Sequence, residues 1–177
     1  SIRRQRQMCI RDRYHVIQKL KEQNFDIIFD DDNAGEIADV IAIEVDDVNK
    51  KVKVELFHLK FSQEDRPGAR INDLYAVNGQ AQKCVSWLHT RPEHIIGRML
   101  RRGASGPKNR YELGTEEQLS IIREKVKSLY EVEYIVHIVQ PGLSKAAASR
   151  EQLKLLSLTE AFLWETRMIK LGVIASA

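Results

Sequence analysis

Long apolar runs are missing from this chain. No stretch approaches the roughly 20 consecutive apolar residues that a helix needs to cross a bilayer, and no secretory signal is visible. Cysteine is nearly absent too. Cys9 and Cys84 are the only two, too few for a disulfide framework and without the spacing of zinc ligands. His89, His94 and His137 stand at no metal-binding spacing to one another and read as structural. Neither an internal repeat nor a low-complexity tract appears. These absences exclude a membrane-spanning helix, a disulfide-stapled scaffold and a zinc finger. A reducing, cytoplasmic compartment is the expectation.

What is present is an ordinary globular balance. The 177 residues are 43% hydrophobic and 30% charged, which suits one domain with its own core and argues against disorder. The net charge of +3 is unevenly placed, because residues 1–13, SIRRQRQMCIRDR, hold five arginines against one aspartate. Without that segment the balance falls to about −1. The segment, in particular QRQMCIRDR, resembles the translated read-through of a sequencing adapter, and it is set aside from fold reasoning. Its alternative reading is a basic arm that touches nucleic acid. The expected organisation is therefore a non-native stretch over 1–13 and a single domain over 14–177, cut from the C-terminal end of a larger protein.

Periodicity then places the elements. Tyr14–Gln23 carries Val16, Ile17 and Leu20 at helical spacing. Phe25–Phe29 reads as a strand, and Asp30, Asp31, Asp32, Asn33 and Gly35 as a solvated turn. Ala38–Val45 is almost wholly apolar, the pattern of a central strand covered on both faces. Asp46–Lys50 is a polar hairpin connection. From Lys51 to Ser62 the side chains alternate: Val52, Val54, Leu56, His58, Lys60 and Ser62 share one face, and Lys53, Glu55, Phe57, Leu59 and Phe61 the other. Gln63–Ala69 is a loop.

A long amphipathic helix over Ile71–Leu88 follows, with Asp73, Gln80 and Lys83 on a polar strip. Gly79 within it calls for close packing or a ligand. A short helix over Glu93–Leu100 leads into a basic flexible loop over Arg98–Arg110. Thr115 and Gln118 form a capping box for a helix to about Tyr130. Val132–Gln140 is a strand ended by Pro141 and Gly142. Ser149 caps the last helix, and Ile169–Ser176 is a terminal strand. Trp87 and Trp164 are assigned to the core. The sum is an α/β domain with a mixed central sheet flanked by helices.

One pairing carries chemistry. Asp39 enters the second strand and Lys60 leaves the third, so a carboxylate and an ammonium converge at one end of the sheet. With the helix that carries Gln80, this order resembles the PD-(D/E)xK nuclease superfamily. More narrowly, IFDDDNAGEIADVIAI, ELFHLKFS, PGARINDLYAVNGQAQK and IVQPGLSKAAASREQLKLLSLTE resemble a domain at the C-terminal end of large bacterial helicase-like proteins of restriction or phage-defence type, over residues 25–177.

The resemblance implies a restriction-endonuclease-like fold and hydrolysis of DNA phosphodiesters with Mg²⁺ or Mn²⁺. Asp39 would bind metal, with Glu36 as an extra ligand from the preceding loop. Lys60 would serve the attacking water or the transition state, and Gln80 matches a glutamine beside the site in several families. Lys83 would hold a phosphate. Arg98, Arg101, Arg102, Lys108 and Arg110 are candidates for backbone contacts with DNA, and a helicase region is the implied partner. The chain departs from the pattern at His58, where the superfamily usually has Glu or Asp. Imidazole suits Mn²⁺ better than Mg²⁺. The alternative is a nuclease-fold module that has lost catalysis and binds nucleic acid or docks a helicase.

Overall fold

The computed structural model describes residues 13–60, 68, 69 and 71–176. The expected arm over 1–12, the strand end at Phe61 and Ser62, and the loop from Gln63 to Pro67 lie outside the described residues.

The chain runs α1 (13–21), β1 (Ile27–Asp30), β2 (Val40–Asp46), β3 (Lys51–Leu59), α2 (Asn72–Leu88), α3 (Pro92–Ala104), β4 (Tyr111–Leu113), α4 (Glu116–Ser128), β5 (Glu131–Ser144), α5 (Arg150–Arg167) and β6 (Lys170–Ser176). The strands form one six-stranded sheet in the order β4-β1-β2-β3-β5-β6. The fold is α/β: a mixed central sheet flanked, among the described residues, by five helices.

Strands β1, β2 and β3 are successive antiparallel neighbours, with Val40 opposite Phe57. β5 then joins β3 in parallel, with Leu59 opposite Val139. The apolar run of β2 sits between two partners and is buried over Val40–Ile43. β3 splits its faces as alternation demands. Val52, Val54 and Leu56 pack with Ile41 and Ile43 against Leu74, Val77, Ala81 and Met99 of α2 and α3. On the opposite face Phe57 joins Val40, Ala42 and Ile28 beneath Ile17 and Leu20 of α1.

Several local expectations change. The segment from Arg98 to Ala104 is helical, not a flexible loop. Pro92 at its first turn supplies a φ that suits a helix start, and Ile95, Ile96 and Met99 give it a buried stripe. β4 pairs with β1 where the sequence showed no strand signal. β5 runs through Pro141 and Gly142, with a register shift between Gln140 and Ser144. Proline is tolerated there because β3 has already ended opposite Val139, so no ladder bond to that side is lost.

At Gly79, a Cβ would meet nothing within 4 Å, so close packing against the sheet does not account for the glycine. Trp164 is 53% exposed rather than core, because Gln152, Thr159 and Leu163 take the buried side of α5. No described helix is long and apolar enough to cross a membrane.

Candidate metal centre

The site lies where β2 begins and β3 ends. Asp39 immediately precedes β2 and is fixed through its backbone on both sides. Its N–H donates to Phe57 O at 3.0 Å, and its carbonyl accepts from Asp31 N–H at 3.1 Å. Register carried one step past the Val40–Phe57 pair sets Asp39 opposite His58, on the face that packs on α2. The Asp39 carboxylate also accepts from the Leu59 N–H through Oδ2 at 2.7 Å. Lys60 follows directly, half-buried, its own N–H donating to Val139 O at 3.1 Å.

Two more carboxylates come from the β1–β2 loop. Oxygens of Asp32, Glu36 and Asp39 lie within 4.8 Å of one another. The loop is built to present them. Glu36 N–H donates to Asn33 O at 3.0 Å, and Asn33 N–H donates to Glu36 Oε2 at 3.1 Å. Asn33 and Gly35 take φ of 129° and 81°, the left-handed half of conformational space.

Neighbouring carboxylates this close disfavour the charge on Asp39 and Glu36. Burial is the largest influence on Asp39 and pushes it up to about 7, with Glu36 and Asp32 adding to the effect and the Leu59 N–H opposing it. Glu36 is raised as well, first by burial and then by Asp32 and Asp31, against the Asn33 N–H. A divalent cation would relieve both.

A cleft of about 250 Å³ opens beside the carboxylates, lined by Asn33, Glu36, His58, Gln80, Lys83 and Trp87 among others. His58 is 3% exposed and its Nε2 has no hydrogen-bond partner. Burial holds it down at about 4, so the ring is neutral at pH 7 and keeps a lone pair. The Gln80 Oε1 is likewise buried and unpartnered. Buried polar atoms without partners cost about 1–3 kcal/mol each, and both belong to side chains lining this one cleft. The donor set fits a hard divalent ion with oxygen ligands, and a neutral imidazole next to it suits Mn²⁺.

Of the residues singled out in the sequence, Glu36 and Asp39 meet in the acidic group, and His58, Gln80 and Lys83 gather at the cleft with Glu36. Lys60 stands one residue beyond the N–H that Asp39 accepts from. The basic residues divide. Lys83 and Arg101 are exposed. Arg98, Arg102 and Arg110 turn inward onto the acidic segment, and Lys108, itself exposed, reaches it from the outside.

Arg102 ion-pairs with Asp31 and donates to Asp31 O at 2.6 Å and Ala34 O at 3.1 Å. Arg98 donates to Gly35 O and lies over the Trp87 ring at 4.4 Å. Arg110 donates to Asp30 O at 2.9 Å and Asp32 O at 3.0 Å, and Lys108 pairs with Asp30. Arg13, from the segment set aside, meets Asp32 at 2.6 Å.

The acid triplet is therefore not a solvated turn. Asp31 is fully buried and Asp30 is 4% exposed, because cations from distant elements neutralise them. Asp32 is the site residue that sequence reasoning missed; its only signal was an acid-rich segment matched by a basic one elsewhere in the chain. Glu55 lies on the far face, as alternation requires, and binds His137 at 2.6 Å.

No family model matches this chain, and the comparisons with curated proteins and with solved structures likewise find no match.

Proposed function

We propose that this domain hydrolyses DNA phosphodiester bonds with Mn²⁺ or Mg²⁺. One observation carries the reading: three carboxylates within 4.8 Å of one another beside a cleft lined by the unpartnered, buried His58 Nε2. Asp39, Glu36 and Asp32 would hold the ion, which lowers the pKa of a bound water and stabilises charge on the phosphoryl oxygens.

The chain's own groups then act around it. Lys60 orients the attacking water and offsets developing negative charge. Gln80 hydrogen-bonds the water or a phosphate oxygen from the cleft wall. Lys83 and Arg101 meet the DNA backbone, a contact that salt weakens. His58 stays neutral and biases the site toward Mn²⁺. The resemblance to helicase-associated domains supports a restriction or phage-defence setting, and an open reading frame encoding a helicase immediately upstream would test it.

The test is cleavage of single- and double-stranded DNA with Mn²⁺ or Mg²⁺ present. Lys60→Ala should lower divalent-dependent cutting by roughly 10²–10³-fold, the range seen on removing a transition-state charge donor, while the circular dichroism spectrum stays unchanged. Cutting at the wild-type rate would mean that the site is elsewhere. His58→Asp supplies an oxygen ligand and should raise the ratio of Mg²⁺- to Mn²⁺-supported cutting; an unmoved ratio would remove His58 from the metal's surroundings.

His58 itself favours a second reading. It occupies the position where the resembling superfamily has a carboxylate, which fits a nuclease-fold module that binds DNA or a helicase without cutting. Binding of DNA with no cleavage under Mn²⁺ would establish that reading instead.

A further inference from the structure

We propose that Arg102 and Arg98 are positioning residues that set the two loop ligands of the metal centre, an inference that rests on the reading under Proposed function. Asp32 and Glu36 belong to a loop whose own hydrogen bonds, between Asn33 and Glu36, leave the carbonyls of Asp31, Ala34 and Gly35 to partners from elsewhere in the fold. Asn33 takes a φ of 129°, a conformation that costs a non-glycine residue on the order of 1–3 kcal/mol. Such a segment persists only where its surroundings over-determine it, and here α3 does so together with Arg110, which donates to Asp32 O at 3.0 Å, and Arg13, which meets the Asp32 carboxylate at 2.6 Å.

Arg102 spreads one guanidinium over the loop. It ion-pairs with the Asp31 carboxylate, donates to Asp31 O at 2.6 Å and reaches Ala34 O at 3.1 Å. Those carbonyls bracket Asp32 and Asn33. Arg98, one turn earlier on the same helix, donates to Gly35 O, next to Glu36. Asp31 completes the link: its Oδ2 accepts from Ile37 N–H at 2.7 Å, and its N–H donates to Asp39 O at 3.1 Å. Every residue from Asp31 to Asp39 that offers a proposed ligand is thus within two positions of a group that is anchored on α3 or on Asp31.

The planar fork of Arg102 is needed for this. Lysine would keep a charge near Asp31 but is a compact point donor, unable to hold two carbonyls and a carboxylate in fixed directions. Gly35 is fitted to the arrangement as well. Its φ is +81°, and a Cβ there would stand 2.9 Å from the Arg98 guanidinium. The consequence is that the arginines of α3 act on the metal through the loop, and that DNA has fewer free cations to meet than the sequence suggests.

Mn²⁺ titration of the 177-residue chain, followed by the loss of the free-ion paramagnetic resonance signal, tests this. Wild type should bind Mn²⁺, and Arg102→Lys and Arg98→Ala should each weaken binding by about 10-fold or more, the range found when a group supporting a metal ligand is removed. The unfolding midpoint in urea is measured alongside. Guanidinium added to Arg102→Ala should recover part of the affinity, which a general loss of structure would not allow.

Arg98→Ala keeps the test decisive if the Arg102 variants fail to fold, because Arg98 holds the loop through its hydrogen bond to Gly35 O, where Arg102 holds two carbonyls and a carboxylate. Folded Arg102→Lys and Arg98→Ala proteins with wild-type Mn²⁺ affinity would overturn the inference and leave the metal centre standing. A wild-type chain that binds no Mn²⁺ would overturn the metal centre itself, and this inference with it.

Discussion

Asp39 concentrates the tension at the residue scale. Its carboxyl titrates at about 7 in the folded chain against an ordinary value of 3.8, chiefly because it is buried. Between those values the folded state holds a proton that the unfolded chain has released, so without metal this group's contribution to stability falls as pH rises and levels off above about 7. Asp39→Asn removes the charge and keeps an oxygen to accept from Leu59 N–H. The variant should therefore gain stability over wild type with rising pH, by at most about 1.4 kcal/mol per unit, from no gain near pH 4 to a plateau above 7.

Denaturant unfolding of both proteins at several pH values measures that gap. A gap that is flat with pH would mean that Asp39 is not raised. With Asp39 as the proposed ligand, the order should reverse in saturating Mn²⁺, because ion binding then stabilises wild type more than the variant. His58 works the other way: held at about 4 by burial, it lets the unfolded chain take the proton first, so its contribution is lost as pH falls from about 6.5 to 4. Carrying such groups costs stability and points to a functional site.

At the scale of elements, local chemistry explains how the helices start. Thr115 accepts from Gln118 N–H at 3.2 Å and Gln118 Oε1 answers to Thr115 N–H at 2.9 Å, the reciprocal pair of a capping box. Ser149 and Gln152 repeat it at α5. Thr115→Ala should cost about 1 kcal/mol. Gly114, just before the cap, has a φ of +79°, and a Cβ on it would lie 2.5 Å from Asp26 O. Gly114→Ala should therefore cost more than Thr115→Ala, because backbone of β1's entry cannot yield as a side chain can. Urea midpoints of the two variants decide the order; the reverse ranking would mean that the turn relaxes freely.

For the molecule as a whole, the sheet separates two packed layers and puts the site at the end where β2 begins and β3 ends. The larger layer joins β1, β2 and β3 to α2, α3 and α4. Met99 sits in it with no exposed surface, on the same helix that presents Arg98 and Arg102 to the acidic loop. Met99→Ala should lower global stability by about 2–5 kcal/mol through lost burial and the cavity left. Because α3 also braces the loop of the proposed ligands, the same variant should weaken Mn²⁺ binding more than Ser149→Ala does, a change at the start of α5. Equal binding in the two would separate the loop from the core. The sheet itself couples distant segments: β5 inserts beside β3 in parallel, so the end of β3 and the register of Asp39 depend on residues some eighty positions away (the separation of Glu55 from its partner His137 is 82).

The alternation over Val52–His58, the apolar run of β2, the boxes at Thr115 and Ser149, and the place of Asp39 at the start of a strand were all legible in the sequence. Each is written in neighbouring residues, through side-chain period and local hydrogen bonding. From the same signals came the pairing of Asp39 with the end of β3. Only the tertiary structure decided that Asp32 joins Glu36 and Asp39, that Trp164 is exposed, and that the first part of the segment read as a basic loop, Arg98–Ala104, is helix whose Arg98 and Arg102 hold the acidic loop. The last of these turns on pairings across 63 and 71 positions. No local period encodes such a pairing; it is set by which charges the packed helices bring within reach of each other once water is excluded.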